Sequence, residues 1–169
     1  MIRAACLGFA FVVFGCGGGT VRVSDPRNTF SVELLGSGDA HHDGSKLAWT
    51  MPSEQVTVTA QQLSRSDDLY TNRSLDQVMQ AIVTRYARGD AAGELHYRHC
   101  TTAGRPSYCL DASAGNNAPS EHLMRIGFLV DTGSEFLLVE SIGPRSRRDR
   151  VQLQSQLLNT SLQLSRRGS

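Results

Sequence analysis

Thr29-Phe30-Ser31-Val32-Glu33-Leu34 alternates apolar and polar positions with period two, the pattern of a strand with one buried face. The polar, glycine-rich stretch Gly36-Ser37-Gly38-Asp39-Ala40-His41-His42-Asp43-Gly44 reads as a loop. Lys46 to Met51 carries Trp49 and stops at Pro52, a second strand; Val56-Thr57-Val58-Thr59-Ala60 is β-branched and alternating, a third. The period then changes. Ser74 and Gln77 form a capping-box pattern ahead of Leu75, Val78, Ile82 and Tyr86 at helical spacing, and Gly89 closes that helix. Gly93–Cys100, Pro106–Ala112, Leu123–Val130 and Glu135–Ser141 read as four more strands, with Asp131-Thr132-Gly133-Ser134 as the turn between the last two. A second helix is expected from about Ser146 to Leu164, with Val151, Leu157, Leu158 and Leu162 on one face.

Short turns between successive strands force antiparallel pairing. Two amphipathic helices over such a sheet predict an α+β domain, an antiparallel sheet of about six to seven strands flanked by the helices.

The apolar run at the start belongs to something else. Arg3 precedes the eleven-residue stretch Ala4–Phe14, which is too short for a membrane span of about 20 residues and suits the core of an export signal. It ends in Val13-Phe14-Gly15-Cys16, which resembles the lipobox of bacterial lipoproteins. That resemblance implies cleavage before Cys16 and a lipid on its thiol. The expected organisation is a signal peptide over 1–15, a lipidated cysteine and flexible tether over 16–28, one domain over 29–164, and a tail over 165–169. A flexible tether of that length reaches roughly 20 Å, and two or more acyl chains hold stably where one does not.

Composition narrows the function. Formal net charge is +1, and removing Arg3 leaves zero. A balanced chain offers no general electrostatic case for nucleic acid. Of the cysteines, Cys6 leaves with the signal and Cys16 takes lipid, so Cys100 and Cys109 remain as a pair in an oxidising compartment. A two-residue turn at Gly104-Arg105 sets them opposite each other, at the roughly 4.5 Å Cα spacing of a non-hydrogen-bonded pair. A disulfide is expected.

A second resemblance rests on Phe30-Ser31-Val32-Glu33-Leu34, Ser74-Leu75-Asp76-Gln77, Arg105-Pro106-Ser107-Tyr108-Cys109-Leu110 and Glu135-Phe136-Leu137-Leu138-Val139-Glu140-Ser141. Over residues 28–164 the layout is similar to the PsbP-like family. The resemblance implies an α/β/α sandwich and an accessory, non-enzymatic role. The Pro-x-Gly-Trp turn frequent in that family after strand one is missing here, and a longer Gly/His loop stands in its place.

Candidate chemistry is sparse. GxSxG, HExxH, P-loop and GxGxxG motifs are absent from the sequence. Asp131-Thr132-Gly133 spells the aspartic-protease tripeptide but is explained by a hairpin turn. His96 and His99 are three apart on a strand and face opposite sides, while His41-His42-Asp43 is at most a weak metal site. No cofactor is expected. Trp49, Phe30, Tyr86, Tyr97, Tyr108, Phe128 and Phe136 read as core and sheet-face residues, a ligand pocket among them being the alternative. Arg145, Arg147, Arg148 and Arg150 crowd the start of the last helix, where the helix dipole prefers acids. They are the candidate contact for anionic headgroups or an acidic envelope protein. The function expected is a membrane-anchored binding or accessory domain; the alternative is a small-ligand or lipid-binding domain tethered at the cell envelope.

Overall fold

The computed structural model describes residues 19–88, 95–112 and 122–165. The elements run β1 (Thr20–Ser24), β2 (Phe30–Leu35), β3 (Asp39–Asp43), β4 (Lys46–Met51), β5 (Val56–Ser64), α1 (Leu75–Arg88), β6 (His96–Thr102), β7 (Arg105–Ala112), β8 (Leu123–Asp131), β9 (Glu135–Pro144), a 3₁₀ turn (Arg145–Arg147), α2 (Arg148–Ser161) and β10 (Gln163–Leu164). A seven-stranded antiparallel sheet has the order β3-β4-β5-β9-β8-β7-β6, and a three-stranded sheet has the order β1-β2-β10. The α+β class and the strand number of the main sheet follow the sequence pattern. The small second sheet does not.

The layers follow from alternation. On one face of the large sheet, Leu63, Tyr108, Leu110, Leu129, Phe136 and Leu138 meet Val78, Met79 and Ile82 of α1. On the other, Trp49, Val58, Phe128 and Val139 meet Val151 and Leu158 of α2 and Phe30, Val32 and Leu34 of the small sheet. Among the described residues, the two clusters run from Val21 to Leu164. The capping box is present: Ser74 N–H donates to Gln77 Oε1 at 2.9 Å, and Gln77 N–H donates to Ser74 Oγ at 3.3 Å.

Four expectations change. Thr20–Ser24, assigned to the tether, is a strand paired with β2 from Thr20↔Leu35 to Ser24↔Ser31. Asp25 ends it: the buried carboxylate accepts from the backbone N–H groups of Arg27, Thr29 and Phe30 and from Gln62 Nε2. The Gly36–Gly44 loop contains β3, an edge strand that pairs with β4 from Asp39↔Thr50 to Asp43↔Lys46. Neither face of β3 is fully buried, so no apolar alternation marks it. The C-terminal helix is shorter than expected, because the 3₁₀ turn takes its start and Gln163–Leu164 peel off to pair with β2. Finally, the β6–β7 turn is Ala103-Gly104, both with positive φ (51° and 72°), the two-residue geometry that suits strand twist. Cys100 therefore stands opposite Ser107 and Cys109 opposite Arg98. The two cysteines are diagonal neighbours with Cα atoms 5.9 Å apart, and they are bonded.

Candidate functional site

Two surfaces stand out, one at an end of the sandwich and one on its flank. At the end, β9 leaves the large sheet at Pro144, which pairs with Leu123 at the start of β8. The 3₁₀ turn and the first turn of α2 follow immediately, so Arg145, Arg147, Arg148 and Arg150 project from one pole. Arg147, Arg148 and Arg150 are exposed and Arg145 is half-buried. The turn after β4 faces them: Arg150 pairs with Glu54 at 3.2 Å, and Arg147 donates to Gln55 Oε1 at 3.4 Å. No side chain caps the amide end of α2. Beneath Arg150 and Glu54 lies a cavity of about 270 Å³ with Leu35, Gly36, Met51 and Val56 in its wall. Gln154 Oε1 closes its far side by accepting from Leu35 N–H at 2.8 Å.

The flank is a cleft of about 430 Å³ between α2 and the outer strands. α2 packs chiefly over β8, β9 and β2, and the cleft opens between it and the strands β6 and β7. Ile126, Phe128 and Cys109 form its floor; Arg98, Asp111, Gln152, Gln156 and Asn159 form its rim. Asp111 Oδ1 is buried there and has no hydrogen-bond partner among the described residues. Asn159 Oδ1 accepts from Thr102 Oγ1 at 2.7 Å and closes the cleft at one end.

The comparisons with protein-family models and with curated proteins give no match. Solved structures do: one similar chain is the solution structure of cyanobacterial PsbP (CyanoP) from Synechocystis sp. PCC 6803. The similarity covers 98% of this chain and 99% of that one, with a TM-score of 0.57 and 11% sequence identity. The fold is PsbP-like.

At that identity the likeness carries the fold and no site residue, so the chemistry of this PsbP-like domain is read from its own side chains. Cys16 and the export segment lie outside the described residues. The four arginines lie together on the 3₁₀ turn and the first turn of α2. The histidines do not: His41 and His42 are successive residues on β3 opposite Ala48 and Leu47, and His96 and His99 fall on opposite faces of β6. His99 Nε2 lies 3.0 Å from Tyr108 Oη, which donates to Asp76 Oδ1 at 2.8 Å. Burial, joined by the Asp76 hydrogen bond, pushes the Tyr108 pKa up to about 12, so this phenol stays a donor that latches α1 to β7. Asp131 is tied up in the hairpin turn, accepting from Gly133 N–H and from Arg65. Trp49, Phe30, Phe128, Phe136 and Tyr108 go into the two cores. Of the aromatics named from sequence, only Phe128 and Tyr97 line the cleft.

Sequence reasoning missed Glu140. It lies on β9 opposite Gly127 and Thr59, and is 6% exposed. Burial raises its pKa to about 7, a rise opposed by Arg85 and Lys46. Arg125 Nη1 stands 3.9 Å from Oε2, too far to hydrogen-bond. Arg125 in turn lies 5.6 Å from the Tyr86 ring, and both Arg125 Nε and Tyr86 Oη are buried without partners. Along β9, Glu140 follows the apolar run Phe136–Val139 where a strand would be expected to reach solvent, so nothing in the local pattern marks this carboxyl as buried.

Proposed function

We propose that the chain is an exported lipoprotein, acylated on Cys16, that holds a non-catalytic PsbP-like binding domain close against a bacterial membrane. The observation that carries this reading is continuity: Val13-Phe14-Gly15-Cys16 is followed by only Gly17-Gly18-Gly19 before β1 begins. The tether is thus far shorter than a 16–28 segment, and the domain is held near the bilayer. Gly17, rather than Asp, follows the cysteine and favours an outer-membrane destination where a second membrane exists. The cleft beside α2 is the surface offered to an envelope partner. Its amide-rich rim and apolar floor suit recognition of another polypeptide. The test is Cys16→Ala in the natural host. The variant is expected to stay uncleaved and to lose the acylated mature form; a variant that matures to the same mass and remains in the membrane fraction contradicts the anchor.

A second reading, a small-ligand or lipid-binding domain, is favoured by the volume of the same cleft, which falls in the range of small-molecule sites. Native mass spectrometry of the domain separates the two. A retained organic molecule supports the second reading, and a bare mass supports the first.

A further inference from the structure

The chain's first described residue sits at the arginine pole. Gly36 N–H donates to Gly19 O at 3.2 Å, and Thr20 pairs with Leu35. Leu35 and Gly36 share one cavity wall with Arg150. Three residue steps separate Gly19 from Cys16, so covalent geometry keeps the Cys16 Cα within about 11 Å of this pole. The anchor and the basic patch therefore act at one end of the molecule.

The chemistry of that end suits a negatively charged lipid surface. Among the described residues, the exposed Arg147, Arg148 and Arg150 outnumber the acids of this end, Glu54 and Asp149, and Glu54 is already paired with Arg150. Leu123, 51% exposed, stands opposite Pro144, and the carbonyl of His122 beside it accepts from Arg145 N–H at 2.9 Å. Arginines and an exposed leucine at one end of a domain match the headgroup level of a bilayer. The opposite pole differs. It also shows an exposed leucine, Leu69, but flanked by exposed Asp67 and Asp68, so its arginines, Arg73 and Arg105 among them, share that end with acids beside the apolar residue.

We propose that the pole formed by Arg145, Arg147, Arg148, Arg150 and Leu123 docks on an anionic phospholipid bilayer, so that the domain is held in one orientation with its cleft accessible from the side. The proposal rests on Cys16 as the anchor for its geometry, but its test does not need the lipid.

The chain from Gly17 onward, without acyl groups, is mixed with vesicles of phosphatidylglycerol and phosphatidylcholine in about equal parts, or of phosphatidylcholine alone, and floated. Binding to the anionic vesicles is expected to be at least about tenfold stronger and to fall as salt is raised. Arg147→Gln with Arg148→Gln is expected to remove most of that advantage. The charge-matched pair Arg73→Gln with Arg105→Gln, from the far pole, is expected to leave it intact. Equal flotation on both vesicle types overturns the proposal, as does an equal loss in both double variants. The salt series on the unaltered chain decides the matter even if a variant folds poorly. Failure here with Cys16 still acylated in cells rejects the docking alone; selective flotation with an unmodified Cys16 rejects the anchor alone.

Discussion

Glu140 is the residue whose behaviour depends most on the fold around it. Its carboxyl is buried on the α1 face of the sheet, opposite Gly127, with Arg125 beyond hydrogen-bond reach. A pKa of about 7 means the folded state holds a proton through the range where the unfolded chain, near the ordinary 4.5, has released it. The stabilisation from this group is therefore complete below about pH 4.5 and is lost as pH rises through 7. A shift of that size corresponds to something on the order of 3 kcal/mol. Glu140→Gln keeps the shape and removes the titration. The variant is expected to lose less stability than the unaltered protein between pH 4.5 and 8, and so to melt higher at pH 8 relative to its own value at pH 4.5. Parallel melting curves across that range would show that the carboxyl is solvated or well paired. Asp25 is as buried as Glu140, but its oxygens accept hydrogen bonds from three backbone N–H groups and from Gln62.

Among the longer strands, β6 is the least supported by burial. It is an edge strand, and only Thr102 of its seven residues is buried. What ties it down is pairing with β7, the His99–Tyr108–Asp76 chain and the Cys100–Cys109 bond. A bridge between cysteines nine residues apart contributes roughly 2–3 kcal/mol in the chain-entropy model. Reduction, or Cys100→Ser with Cys109→Ser, is expected to lower the melting temperature by that measure and to raise hydrogen exchange first in β6. Non-reducing peptide mapping checks the bond itself; free thiols at both positions in protein made in an oxidising compartment contradict it. Exposure also governed what could be read from sequence. Strands with one buried face, such as β2 and β4, announce themselves by alternation, β9 by a continuous apolar run, and α1 by its capping box and apolar stripe. β3 has no buried face, β1 offers only Val21 and Val23, and β10 is two residues long, so each escaped. The cysteine pair was legible, yet its register was not. Ala103, rather than Arg105, joins Gly104 in the turn, at a positive φ that a glycine-centred reading does not anticipate.

At the scale of the whole molecule, function depends on what the fold brings to one end. The arginine run was visible as a charge anomaly. That the tether emerges beside it was not, because this follows from the β1–β2 register and the hydrogen bond from Gly36 to Gly19. On the proposed reading, a PsbP-like sandwich with its N-terminal strand entering at the basic pole turns that pole to the membrane. The cleft between α2 and β6–β8 lies on the flank, the face proposed for a partner in the envelope. The account rests on Cys16 as the point of attachment. The most direct measurement is the intact mass, with N-terminal peptide sequencing by fragmentation, of the mature chain extracted from host membranes. The expected result is a chain that begins at Cys16 and carries a diacylglycerol thioether on its sulfur. A mature chain that begins elsewhere, or one that begins at Cys16 with an unmodified thiol, would contradict it.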